Sequence, residues 1–73
     1  MNVEVATTIT VNGERRAWRP MTVRELLSDM GIDAGRGGVA VAVNAAVVPR
    51  GAWDETRLAA DDKVEIVRIV RGG

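Results

Sequence analysis

The chain contains no cysteine and no histidine. Their absence removes disulfides, thiolate metal sites, cysteine nucleophiles and imidazole acid–base chemistry together. Phenylalanine and tyrosine are missing too, so a core has to be assembled from Val, Ile, Leu, Ala and Met, with Trp18 and Trp53 the only large side chains. No excess of charge of one sign is present, because ten basic and ten acidic residues cancel to a formal net charge of zero. Tight nucleic-acid binding needs a concentrated basic face that neutralises several phosphates, and a balanced chain without interleaved aromatics does not offer one. Nothing approaches the roughly 20 consecutive apolar residues that span a bilayer. The opening Met1-Asn2-Val3-Glu4 has neither the basic start nor the apolar run of a secretory signal. The expectation is a soluble, cytoplasmic protein with no nucleic-acid and no membrane partner.

What is present is a chain of 73 residues, 47% of them hydrophobic, which reads as a single domain over residues 1–73. So small a core leaves no room for a deep pocket that encloses a substrate. Function is therefore expected at the surface or at a chain end. Two carboxylate pairs, Asp54-Glu55 and Asp61-Asp62, are the remaining acid–base candidates. Each pair is adjacent in sequence, so nothing in the spacing aims both at one substrate, and they read as solvated turn residues.

Val3, Val5, Thr7, Ile9 and Val11 alternate with Glu4, Ala6, Thr8 and Thr10, a period of two rich in β-branched residues that predicts a strand. Asn12-Gly13 then suits a tight hairpin turn, whose two central positions need positive φ. The return strand is expected over Glu14–Arg19, with Pro20 ending it. Thr22-Val23-Arg24-Glu25 has the form of a capping box. Val23, Leu26, Leu27 and Met30 fall on one face of a helix over roughly 22–31, and Gly31 supplies its stop. Such a short helix must be held by packing.

The Arg36-Gly37-Gly38 loop leads into a third strand, Val39–Val43, with Val on one face and Ala on the other. Asn44–Val48 reads as a turn into a short extended piece, closed by Pro49. Gly51–Arg57 reads as a loop or a single helical turn carrying Trp53, which is expected to cover the core. Asp61-Asp62 marks a turn before the last strand, Val64–Val70. Hairpin, helix, strand, irregular segment, strand is the order of a β-grasp fold, of class α+β, in which a mixed sheet of four or five strands wraps the helix and the last strand lies beside the first.

Arg71-Gly72-Gly73 directly follows that last strand. Two glycines without Cβ atoms let a backbone thread a narrow channel and leave the terminal carbonyl unhindered. A carboxylate becomes a usable electrophile once AMP is transferred to it from ATP. A sulfur nucleophile then displaces AMP and leaves a thiocarboxylate. A carrier of this kind needs no catalytic residue of its own, in agreement with the absent Cys and His.

Val11-Asn12-Gly13, Thr22-Val23 with Leu26-Leu27, Val41-Ala42-Val43-Asn44, Val47-Val48-Pro49-Arg50 with Trp53, Asp62 and Gly72-Gly73 occur in an order and spacing that resemble the ThiS family, the ubiquitin-like sulfur carriers of thiamine biosynthesis. The Val48-Pro49-Arg50 and Trp53 block favours this family over the MoaD-like small subunits of molybdopterin synthase, which share the fold and the Gly-Gly tail. The resemblance implies that the chain is not an enzyme. A ThiF-like adenylating enzyme would act on the Gly73 carboxylate, consuming ATP, while the chain itself binds no cofactor and no metal. A sulfurtransferase or cysteine desulfurase would deliver sulfur to Gly73. A ThiG-like thiazole synthase would take that sulfur into the thiazole ring. The alternatives are a MoaD-like carrier for molybdopterin and a ubiquitin-like modifier or binding module.

Around the tail, alternation along the last strand sends Val64 and Ile66 toward the helix and Glu65, Val67 and Ile69 to the open face. Val67 and Ile69 are therefore the candidate docking residues for partner enzymes. Arg68 breaks the inner pattern where the strand outruns the helix. Arg71 is a candidate contact for an acidic partner surface or an ordinary solvated end. Arg15, Arg16 and Arg19 read as the charges of an edge strand, which discourage unwanted pairing.

Overall fold

In a computed structural model, the described residues are 7–33, 35 and 37–69. They form β1 (Thr8–Val11), β2 (Glu14–Ala17), α1 (Val23–Asp29), β3 (Val39–Val43), β4 (Ala46–Val48), one turn of 3-10 helix (Arg50–Ala52) and β5 (Lys63–Arg68). The five strands make one sheet in the order β2-β1-β5-β3-β4. β5 is central, parallel to β1 through Thr10↔Lys63 and Val11↔Val64, and antiparallel to β3 from Val39↔Arg68 to Val43↔Val64. The expected β-grasp arrangement, with last strand beside first, is what forms.

Both hairpins use two-residue turns. Asn12 and Gly13 take φ of 51° and 83°, as a type I′ turn requires. Between β3 and β4 the same job falls to Asn44 and Ala45, at φ of 50° and 69°. Ala45 is thus an L-residue in the left-handed region, where its Cβ crowds the backbone.

The helix is short, and its ends are fully used. Thr22 and Glu25 form the expected capping box: the Glu25 amide donates to the Thr22 hydroxyl, and the Thr22 amide to the Glu25 carboxylate. The amides of Val23 and Arg24 donate to the carbonyls of Thr56 and Trp53, so the segment after the 3-10 turn covers the remaining free donors. At the other end Gly31 takes φ of 73°, its amide donating to Ser28 and that of Ile32 to Leu27, which is a Schellman stop.

The sheet's inner face and α1 enclose Ile9, Val11, Val23, Leu26, Leu27, Val41, Val64 and Ile66, with Met21, Trp53 and Leu58 closing the margin. No buried polar side-chain atom among the described residues is left without a partner. Seven helical residues are fewer than the ~12–15 at which an isolated helix becomes even marginal in water, so burial of Val23, Leu26 and Leu27 is what holds α1 in place.

Several boundaries differ from the sequence expectation. β1 starts at Thr8, with Thr7 exposed and its carbonyl accepting from the Trp18 amide; Val3 and Val5 lie outside the described residues. β2 ends at Ala17; one further bond to the β1 side follows, from the Trp18 amide to the Thr7 carbonyl, and the Trp18 indole donates to the Leu58 carbonyl at 2.9 Å. The helix proper is Val23–Asp29, with Thr22 and Met30 as its caps. β5 begins one residue earlier than expected, at Lys63, and ends at Arg68, short of Ile69; Val70 lies outside the described residues.

Candidate docking face and chain end

Cross-strand partners project to the same side of a sheet, so the register assigns the open face. Val47 on β4, Ala42 on β3 and Glu65 on β5 form one row. Ala40 and Val67 form the next. Small residues at Ala40 and Ala42 leave the larger ones standing proud: Val47 is 75% exposed, and Val67 and Ile69 are 57% exposed each. Val64 and Ile66 are buried on the other side, as the alternation predicts. Arg68, the inward position beyond them, is exposed and shares a shallow groove with Ile32, Val39 and Ile69. Ile69 stands one residue past β5, and its amide donates to the Gly38 carbonyl. A Cβ added at Gly38, where φ is 72°, would come within 3.1 Å of the Ile69 carbonyl oxygen. Gly38 therefore lets the loop before β3 run against the end of β5.

Two side chains fix β5 along its length. Asn12 donates from Nδ2 to the Ile66 carbonyl at 3.2 Å and accepts at Oδ1 from the Ile66 amide at 2.8 Å. Its side-chain amide thus extends the β1–β5 ladder past the point where β1 turns away. Asn44 grips β5 from β3: its backbone amide donates to the Lys63 carbonyl, and its side-chain Oδ1 accepts from the Lys63 amide at 2.9 Å. Asn44 Nδ2 donates to Asp62, whose other carboxylate oxygen accepts from the Ala59 amide. Asp62 is therefore a fixed turn brace rather than the freely solvated residue expected, and Asp54 is likewise engaged, in an exposed ion pair with Arg24. Asn12 and Asn44 had been legible only as turn formers; the signal that marks them out is their shared place at the first position of two turns flanking one strand.

The Val48–Trp53 block packs on itself. The Trp53 ring is buried, its Nε1 donates to the Val48 carbonyl at 2.9 Å, and the Arg50 guanidinium lies 5.3 Å from the ring centroid. Pro49 opens the 3-10 turn, its carbonyl accepting from Ala52. Trp53 covers the core as expected. Arg15 and Arg16 lie on the edge strand β2, and Arg19, just past it, pairs with Asp29. Arg15 and Arg16 agree with charges that guard an edge; Arg19 does not, because it lies off the strand and is engaged by the last residue of α1.

Arg71, Gly72 and Gly73, the tail residues on which the chemistry was expected, lie outside the described residues. Among the described residues no cluster of three or more acidic side chains is arranged to hold a metal ion, and no helix is long and apolar enough to cross a membrane.

The sequence model of the ThiS family matches residues 7–73. The crystal structure of the thiamine biosynthesis protein ThiS from Geobacter metallireducens superposes with a TM-score of 0.74 at 33% identity, covering 90% of this chain and 99% of that one. The solution structure of a thiamine biosynthesis protein from the same organism gives 0.73 at 33% identity, covering 90% and 87%. A thiazole synthase from Paramagnetospirillum magneticum is 36% identical over 66 residues; these are 89% of this chain, which spans only 20% of that protein.

Proposed function

The chain belongs to the ThiS family, and on that premise we propose that it is a sulfur carrier for thiamine biosynthesis whose working group is the Gly73 carboxylate. The observation that carries this reading is that the family match runs through Gly72-Gly73, a few residues along the chain from the end of the central strand at Arg68. An adenylating enzyme transfers AMP from ATP to the carboxylate, releasing pyrophosphate. The terminal sulfur of a persulfide on a sulfurtransferase or cysteine desulfurase attacks the acyl carbon and displaces AMP, forming an acyl disulfide; a thiol then cleaves its S–S bond, leaving the thiocarboxylate and a disulfide between that thiol and the partner's cysteine. Thiazole synthase then takes the sulfur. ATP is the partner's substrate, and the chain is a co-substrate rather than a catalyst.

Similarity to one segment of a protein that is itself called a thiazole synthase supports that enzyme as the acceptor. The rigid part of the carrier is the sheet. Its open face presents Val67 and Ile69, joined across Ala40 and Ala42 by Val47, as the apolar surface on which the partners dock. Arg71 and Gly72 serve as the thread that passes Gly73 into the partner's active site.

The test is the intact mass of the protein after incubation with ATP, an adenylating enzyme, a sulfurtransferase and a sulfur source. Replacement of one oxygen by sulfur, lost on deletion of Gly73, is the expected result. An unchanged mass, with partners proven active on another carrier, overturns the reading.

A further inference from the structure

Asn12-Gly13 carries chemistry that sulfur transport does not use. When an asparagine is followed by glycine, the next backbone nitrogen meets no Cβ on its way to the side-chain Cγ, so intramolecular attack is least hindered there. Asn12 sits at an exposed turn, where water is at hand. Its side-chain amide, however, is clamped on Ile66 by two hydrogen bonds, 3.2 Å from Nδ2 and 2.8 Å to Oδ1. The Asn12 amide is itself fixed, donating to the Val64 carbonyl at 2.9 Å. Rotating Cγ over the Gly13 nitrogen requires breaking both side-chain bonds.

We propose that Asn12 is a site of spontaneous deamidation, protected by its pairing with β5 and opened when the hairpin tip leaves that strand. In the first step the Gly13 nitrogen bonds to Cγ and the Cγ–Nδ2 bond breaks. The side-chain nitrogen leaves as ammonia, taking the proton lost from the Gly13 amide. Water then opens the five-membered imide at either carbonyl, giving aspartate or isoaspartate. No oxidant or cofactor is involved.

The product cannot restore the clamp. An aspartate still accepts from the Ile66 amide, but its second oxygen faces the Ile66 carbonyl, so an acceptor stands where a donor was. Isoaspartate adds a backbone methylene to a two-residue turn. The β1–β5 pairing is short, Thr10↔Lys63 and Val11↔Val64, so the loss falls on a junction with little in reserve.

An internal control lies at Asn44-Ala45. That asparagine has the same turn conformation and a comparable clamp on Lys63 and Asp62, but Ala45 has a Cβ. The experiment incubates the full chain at mildly alkaline pH with and without guanidinium chloride, and follows both sites by peptide mass mapping. In denaturant Asn12 should convert faster than Asn44. In native buffer Asn12 should convert at least about tenfold more slowly than in denaturant, the factor that two ordinary intramolecular hydrogen bonds supply. The Asn12→Asp variant should unfold at a lower denaturant concentration. Equal rates at Asn12 in the two conditions, equal rates at Asn12 and Asn44 in denaturant, or an unchanged midpoint for Asn12→Asp each overturns the proposal. It stands independently of sulfur carriage.

Discussion

Ala45 should be replaceable by glycine with a gain in stability, and Gly13 by alanine with a loss of similar size. Both residues occupy the second central position of a two-residue turn, at φ of 69° and 83°. A left-handed backbone costs an L-residue about 1–2 kcal/mol. Glycine escapes that cost but loses about 0.5–1 kcal/mol more conformational freedom on folding. The difference leaves Ala45→Gly more stable by about 0.5–1 kcal/mol. For Gly13→Ala the same subtraction runs in reverse, and no steric correction is needed, because a Cβ there meets nothing within 4 Å. With a urea m-value near the lower end for small proteins, about 1 kcal/mol/M, each midpoint moves by about 0.5–1 M, in opposite directions. In thermal unfolding the same changes are about 2–8 °C. Fluorescence reports the transition, since Trp53 passes from the core to water. A lower midpoint for Ala45→Gly, or shifts of the same sign in both variants, would refute the conformational argument.

Trp53→Phe keeps most of the apolar bulk but deprives the Val48 carbonyl of its indole donor; equilibrium urea unfolding should show a loss of about 1–3 kcal/mol. Ile69→Asp lies beyond the end of β5 on an exposed side chain, so stability should stay within about 0.5 kcal/mol while thiocarboxylate formation with the partner enzymes falls at least tenfold. An undiminished rate would remove the open face from the docking surface.

How far the sequence disclosed this molecule depends on the kind of signal each residue carries. Alternation and capping are local, so Ile9 and Val11, the Thr22–Glu25 box, the Gly31 stop and the Val64/Ile66 against Val67/Ile69 division were all legible. Ends of strands were not. Just past the end of β2 the Trp18 indole is held by the Leu58 carbonyl, forty positions away, which no window around Trp18 contains. The asparagine clamps were hidden for the same reason: Asn12 reads as a turn former, and its second role exists only because β5 passes beside it. Val47 was overlooked as part of the open face because its row, Val47–Ala42–Glu65, is written by register rather than by any one segment. For the Val48–Trp53 block, family likeness pointed to the residues, and the packing joins them: the Val48 carbonyl accepts from the Trp53 indole, Pro49 opens the turn between them, and the Arg50 cation lies over the ring.

The central placement of β5 has a mechanical consequence. A pull applied to its C-terminal end along the strand axis loads the backbone bonds to β1 on one flank and to β3 on the other in shear. The bonds must then yield together, unlike those of an edge strand peeled away one at a time. Asn12 and Asn44 act as rivets on opposite flanks of the same strand, at Ile66 and Lys63. An enzyme drawing on the tail would therefore haul the whole domain toward it before unravelling the strand.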